Sequence, residues 1–216
     1  MGELIDLAER RAAMRGRMPR REPARAQLYF DLACPFTYLA TERVERSFDH
    51  VIWTPACSAT LQRGFLAADL EARELVRAAA EQRAAALRLP LIWPERFPLD
   101  VRAAMRASGF AAEQGRAGHF VLAAGRLAFC GGFDLDDPEV LAEAAAAASV
   151  PLAGCLRAAR DPRRDGPMEA AGRHLLAAGA DRLPALRVGR SLFSGETRVG
   201  AAVAAARASG AVVARV

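Results

Sequence analysis

The stretch that decides the fold is QLYFDLACPFTYLA, residues 27–40. Its first half, 27–32 (QLYFDL), reads as a buried strand of aromatic and branched residues ended by the Ala33-Cys34-Pro35 turn. Its second half opens a helix over 36–48, with apolar positions at Phe36, Leu39, Ala40, Val44 and Phe48. Proline is favoured at the first helical position, so Pro35 places Cys34 at the N-cap. There the free backbone N–H groups and the positive end of the helix dipole favour thiolate over thiol. A lone Cys-Pro pair would equally suit a small buried hydrophobe. The strand before it and a closing β-hairpin over 185–193 favour a reactive sulfur, the most reactive of the four thiols. Thr37 stands where a dithiol enzyme would carry its second cysteine, so a mixed disulfide on Cys34 would need an outside thiol to resolve it.

Outward from this unit, 51–56 (VIWTPA) reads as a second strand, close enough after the helix to lie parallel to the first. The long middle, 58–179, is helical in pattern: 70–87, 100–114, 119–129, 138–148, 152–160 and 167–178, with breaks at prolines and at Gly131-Gly132. Two short strands, 185–188 and 191–193, flank Gly189-Arg190, a connection suited to a primed turn, and 199–208 returns to helix. The order β-α-β, many helices, β-β-α predicts an α/β chain with a thioredoxin-like fold and a large all-helical insertion. Residues 27–57 and 180–216 form the thioredoxin-like domain and 58–179 the insertion subdomain. Residues 1–26 form an N-terminal arm in which 3–17 can be a short amphipathic helix.

Composition excludes several functions. The chain has 216 residues and a hydrophobic content of 52%, a globular balance for one domain. No apolar run reaches the roughly 18 residues of a membrane span, and the first 27 residues lack a secretory signal's apolar centre, so a cytoplasmic protein is expected. The net charge of +5 is spread over scattered arginines, and the cluster between Arg10 and Arg25 reads as a solvated segment; no nucleic-acid partner is expected. All 30 basic residues are arginine, which removes Walker-A, Schiff-base and Ser-x-x-Lys chemistry. Cys34, Cys57, Cys130 and Cys155 lack C-x-x-C spacing and read as free thiols, and His50, His119 and His174 are isolated, so no metal is expected. Asp137-Pro138-Glu139 reads as a helix N-cap rather than a carboxylate pair with Asp134 or Asp136. Asp31, three residues before Cys34, is either a proton-moving acid for the thiol or a pairing and capping group.

Four stretches together resemble the DsbA-like thioredoxin superfamily, in its 2-hydroxychromene-2-carboxylate isomerase and kappa-class glutathione transferase branch. They are QLYFDLACPFTYLA, LPLIWPERFP (89–98), FCGGFDLDDPEVL (129–141) and DRLPALRVGRSLFSGETRV (181–199). The resemblance implies that Cys34 falls where that branch has a serine holding glutathione's sulfur and disulfide oxidoreductases have their nucleophile. It implies that Leu183-Pro184 is the cis-proline step lying against the Cys34-Pro35 turn, and that Glu196, Thr197 and Arg198 lie on the loop gripping glutathione's γ-glutamyl end. Thr197 replaces the family's aspartate and Phe129 its tryptophan. The implied cofactor is glutathione or another low-molecular-weight thiol, and the implied partner a small organic substrate in an apolar pocket lined by Phe36, Tyr38, Trp53, Trp93 and Phe97. The implied reaction is thiol-dependent oxidoreduction or isomerisation on a single cysteine. The alternatives are a protein disulfide oxidoreductase of DsbA type and a non-catalytic binding protein. A homodimer is left open.

Overall fold

The computed structural model describes residues 25–61 and 70–209. The expected arm helix over 3–17 lies outside them.

Strand β1 (Ala26–Phe30) is central in a four-stranded sheet of order β2-β1-β3-β4. It runs parallel to β2 (Val51–Pro55), with Leu28 opposite Trp53, and antiparallel to β3 (Ala185–Val188), with Leu28 opposite Leu186. Strand β4 (Ser191–Ser194) pairs with β3 across Gly189, whose φ of +58° is the left-handed value a primed turn needs. Because β1 is flanked on both sides and covered on both faces, its side chains are almost all buried, as its apolar run predicts.

Successive side chains of β1 serve opposite faces. Leu28 packs with Ala40 and Val44 of helix α1 (Pro35–Ser47) and with Val199 and Ala202 of the last helix, α9 (Val199–Ala208). Tyr29 packs with Leu61, at the end of the short α2 (Ser58–Leu61), and with Leu175 of α8 (Asp165–Ala177). Helix α2 carries no periodic pattern at four residues, so it escapes sequence reading.

The insertion supplies α3 (Leu70–Leu87), α4 (Arg102–Glu113), α5 (Ala117–Phe129), α6 (Pro138–Ala147) and α7 (Leu152–Ala159). Their apolar faces share one core with Phe30, Leu32, Tyr38 and Leu39, so the insertion is packed directly onto the Cys34 turn and the start of α1. Helix ends match the sequence within about two residues because caps and prolines define them. Asp137 accepts the Glu139 N–H at 2.8 Å with Pro138 at N1, which places Asp137 as the cap. Helix α8 begins at Asp165, two residues before the expected Pro167, following a 3-10 turn over Pro162–Arg164.

Candidate functional site

The turn between β1 and α1 is built by Asp31. Its Oδ1 accepts the Ala33 N–H at 2.9 Å and its carbonyl accepts the Cys34 N–H at 3.1 Å, a side-chain-closed turn that delivers Cys34 to the N-cap. Cys34 is in extended conformation at φ −91° and ψ 116°, and Pro35 opens the helix. The Thr37 N–H donates to the Cys34 carbonyl at 2.9 Å, and the Thr37 hydroxyl accepts the Asp31 N–H at 3.4 Å. The Asp31 carboxylate thus makes a capping contact in this turn while lying close enough to act electrostatically on Cys34.

Facing Cys34 is the loop before β3. The Leu183-Pro184 peptide is cis, as the resemblance implies, and the Cys34 thiol points at the Leu183 carbonyl at 3.7 Å. Pro184 in turn accepts the Gly195 N–H at 2.8 Å, which ties this loop to the start of the Glu196–Arg198 turn. Cys34, Thr37, Pro35, Leu183 and Pro184 are thus brought together from both ends of the chain and are buried.

The ionisation of Cys34 departs from the sequence expectation. The Phe36 and Thr37 backbone N–H groups and the Thr37 hydroxyl favour the thiolate, as a helix N-terminus should. Complete burial outweighs them, and the nearby Asp31 adds to the burden, so the thiol is pushed up from 9.0 to about 12. Cys34 rests as a neutral thiol. Among the described residues all four cysteines are free: Cys155 is buried, with its thiol also pushed up, while Cys57 and Cys130 are half-buried.

Other expected residues lie elsewhere. The Glu196 carboxylate is turned inward and closed off by Arg43 of α1 and Arg83 of α3; Arg83 Nη2 reaches Oε1 at 3.1 Å and Arg43 also donates to the Glu196 carbonyl at 3.2 Å. Its side chain is 1% exposed, so it is an internal anchor rather than a free ligand group. Thr197 and Arg198 are exposed beside it. Tyr38 is buried: its hydroxyl donates to the Pro90 carbonyl at 2.9 Å, lies 3.1 Å from Cys130 Sγ, and its ring stacks on Phe129 at 6.0 Å. Burial and Cys130 push the Tyr38 hydroxyl's ionisation up.

Trp93 meets Phe97 at 4.7 Å and Phe129 at 6.2 Å, with the Arg77 guanidinium 5.1 Å above the indole. Phe36, Trp93 and Phe97 border the same core cluster as Tyr38. The two middle motifs meet here: Ile92 N–H donates to the Phe129 carbonyl at 2.7 Å, and Arg96 binds Asp134 at 2.7 Å and Asp136 at 2.9 Å. Trp53 borders this core too, but from β2, where it lines a cavity near the N-terminal end of the strand, away from Cys34. The expected pocket residues therefore do not form a single wall. Sequence reading missed Arg43 and Arg83 because their partner Glu196 is 153 and 113 positions away, and no spacing signals such a triad.

Among the described residues no group of His, Cys, Asp or Glu could hold a metal ion, and no helix is long and apolar enough to cross a membrane. No curated protein matches the chain. Among solved structures, a 2-hydroxychromene-2-carboxylate isomerase aligns with TM-score 0.70 at 13% identity, covering 83% of this chain and 93% of that one. A "probable DsbA oxidoreductase" from Streptomyces coelicolor aligns with TM-score 0.64 at 19% identity, covering 87% of this chain and 90% of the other. At such identities the likeness is one of fold. The DSBA-like thioredoxin domain family matches residues 26–205, which take in the Cys34 turn, the whole insertion and the cis-proline loop. The chain belongs to that family.

Proposed function

We propose that the protein is a monothiol enzyme of this family, in which Cys34 exchanges with glutathione or a similar low-molecular-weight thiol in the turnover of a small organic substrate. One observation carries this reading: Cys34 Sγ sits at a helix N-cap 3.7 Å from the Leu183 carbonyl, and the position one turn on, where a dithiol enzyme carries its second sulfur, holds the hydroxyl of Thr37. A hydroxyl can donate to a thiolate but cannot displace a disulfide. The Cys34 thiol first loses its proton to solvent as ligand binding opens the buried site. Its sulfur attacks a disulfide R–S–S–R′, forming Cys34–S–S–R and releasing R′S⁻, which takes up a proton. An external thiol RSH, as its thiolate, attacks the R sulfur, leaving R–S–S–R and the Cys34 thiolate, which regains a proton. The net exchange, R–S–S–R′ + RSH → R–S–S–R + R′SH, consumes one external thiol per turnover, a demand that suits a reducing, cytoplasmic setting.

The test is intact mass spectrometry after incubation with glutathione disulfide. A glutathione adduct that maps to Cys34 by peptide analysis, removed by reduced glutathione and lost in Cys34→Ser, is expected. An internal disulfide from Cys34 to Cys57, Cys130 or Cys155, with efficient insulin reduction, would overturn the monothiol reading and favour a protein disulfide oxidoreductase.

The thiol pushed up to about 12 supports a second reading, in which neutral Cys34 only donates a hydrogen bond to the sulfur of bound glutathione during an isomerisation. Serine donates equally well, so Cys34→Ser would keep its activity under this reading and lose it under exchange.

A further inference from the structure

At the opposite end of the parallel strands from Cys34 lies a cavity of about 770 Å³. It opens between the end of α1, the start of β2 and the junction of α4 and α5, with Arg25, just before β1, on its wall. Five-residue strands put about 17 Å between their two ends, so this is a separate site from the thiol. Its size falls within the range of small-molecule sites, about 300–1,000 Å³.

Small residues form one side of it, and Trp53 crosses Gly118 so closely that a Cβ there would lie 2.8 Å from the indole Nε1 and 3.2 Å from Glu45 Oε2. An indole N–H and a carboxylate therefore converge over one glycine. The indole is held from behind by Phe30 in an edge contact at 6.3 Å, which fixes its orientation in advance of any ligand. Among the described residues the Trp53 N–H has no hydrogen-bond partner, and neither Glu45 nor Asp49 has an ion-pair partner, although both line the cavity. His50 and His119 also stand on the wall; with both imidazoles neutral, one arginine against two carboxylates gives the recess the opposite sign to the molecule, whose net charge on the same convention is +5.

Unpaired carboxylates beside an aromatic ring are the donor-hungry, cation-attracting surroundings that an organic cation satisfies through cation–π contact and charge-assisted hydrogen bonds. We infer that this cavity binds a small, flat organic cation, an aromatic amine or amidine, with its ring against Trp53 and its N–H groups on Glu45 and Asp49. The site is independent of thiol chemistry.

The chain has two tryptophans, so the ¹⁵N-labelled full-length protein gives two indole N–H resonances, assigned with Trp53→Phe. Benzamidine should shift the Trp53 resonance saturably and leave that of Trp93 in place, while benzoate, of the same shape and opposite charge, should bind more weakly. Glu45→Gln with Asp49→Asn should weaken benzamidine binding by about threefold to tenfold, the worth of partly exposed charge pairs. Both side chains are exposed, so the fold should survive; Asp49→Asn alone gives a milder check. Cys34→Ser should bind benzamidine like wild type. Benzoate binding as well as benzamidine, no saturable shift at Trp53, or equal movement of both indoles would overturn the inference.

Discussion

Cys34 shows how two residue-level effects of opposite sign are decided by magnitude. A helix N-terminus offers a thiolate partial charges and N–H donors worth about 1–2 kcal/mol, whereas full burial moves the ionisation of a thiol by several pH units, each about 1.4 kcal/mol. With the folded value raised from 9.0 to about 12, the unfolded chain loses this proton first as pH rises. Its contribution to stability is intact below pH 9 and declines through pH 12, at about 1.4 kcal/mol per pH unit. Chemical denaturation of wild type and Cys34→Ser across pH 8–11 should show the wild type losing stability faster. For the same reason limiting iodoacetamide near pH 7.5 should modify the half-buried Cys57 and Cys130 ahead of Cys34 in the ligand-free protein, read by peptide mapping. The position of Cys34 was legible in the strand, turn and Pro35; its protonation was not, since burial comes from Leu183 and the insertion core, which no local pattern contains.

At the scale of elements, α4 and α7 meet at a glycine. A Cβ on Gly154 would lie 2.4 Å from Cζ of Phe110 and 2.8 Å from Cε1, both in a ring wedged between the helices, with the Arg164 guanidinium 5.9 Å over the ring. Gly154→Ala improves helix propensity by about 1 kcal/mol, but overpacking of this kind loses about 1–3 kcal/mol. A lower thermal midpoint is therefore expected; a rise would show that Phe110 can move aside freely. Most helices were legible because proline, glycine and Asp137 mark their ends. The start of α8 was misread because Pro167 looks like an opening proline, while the helix begins with Asp165, paired with Arg106 of α4 at 2.6 Å. That bond sets the boundary from 59 positions away.

At the scale of the whole molecule, Glu196 joins three parts of the chain: its own turn beside the cis-proline loop, α1 through Arg43 and the insertion through Arg83. Removing the charge while keeping the shape, Glu196→Gln, strands two arginines against a buried amide, and breaking such a pair loses about 3–5 kcal/mol. Urea denaturation should register that loss. A change near zero would mean that the arginines relax to solvent, which their partial exposure of 23% and 28% makes the relevant rival. The family resemblance implies a ligand-gripping role for this loop, and its acid faces inward; sequence shows which residues share a loop and not which way a carboxylate faces.

The insertion has one more consequence, felt before the protein is finished. Ala26 of β1 and its antiparallel neighbour Val188 of β3 are 162 positions apart. Ribosomes add roughly 5–20 residues per second, so β1 waits about 8–30 s for β3 to be synthesised. Throughout that interval the β1–β2 ribbon offers a bare hydrogen-bonding edge to any other extended segment nearby, its own relatives on the same messenger included. A nascent chain stalled at 180 should therefore bind holding chaperones that the released, complete protein no longer recruits.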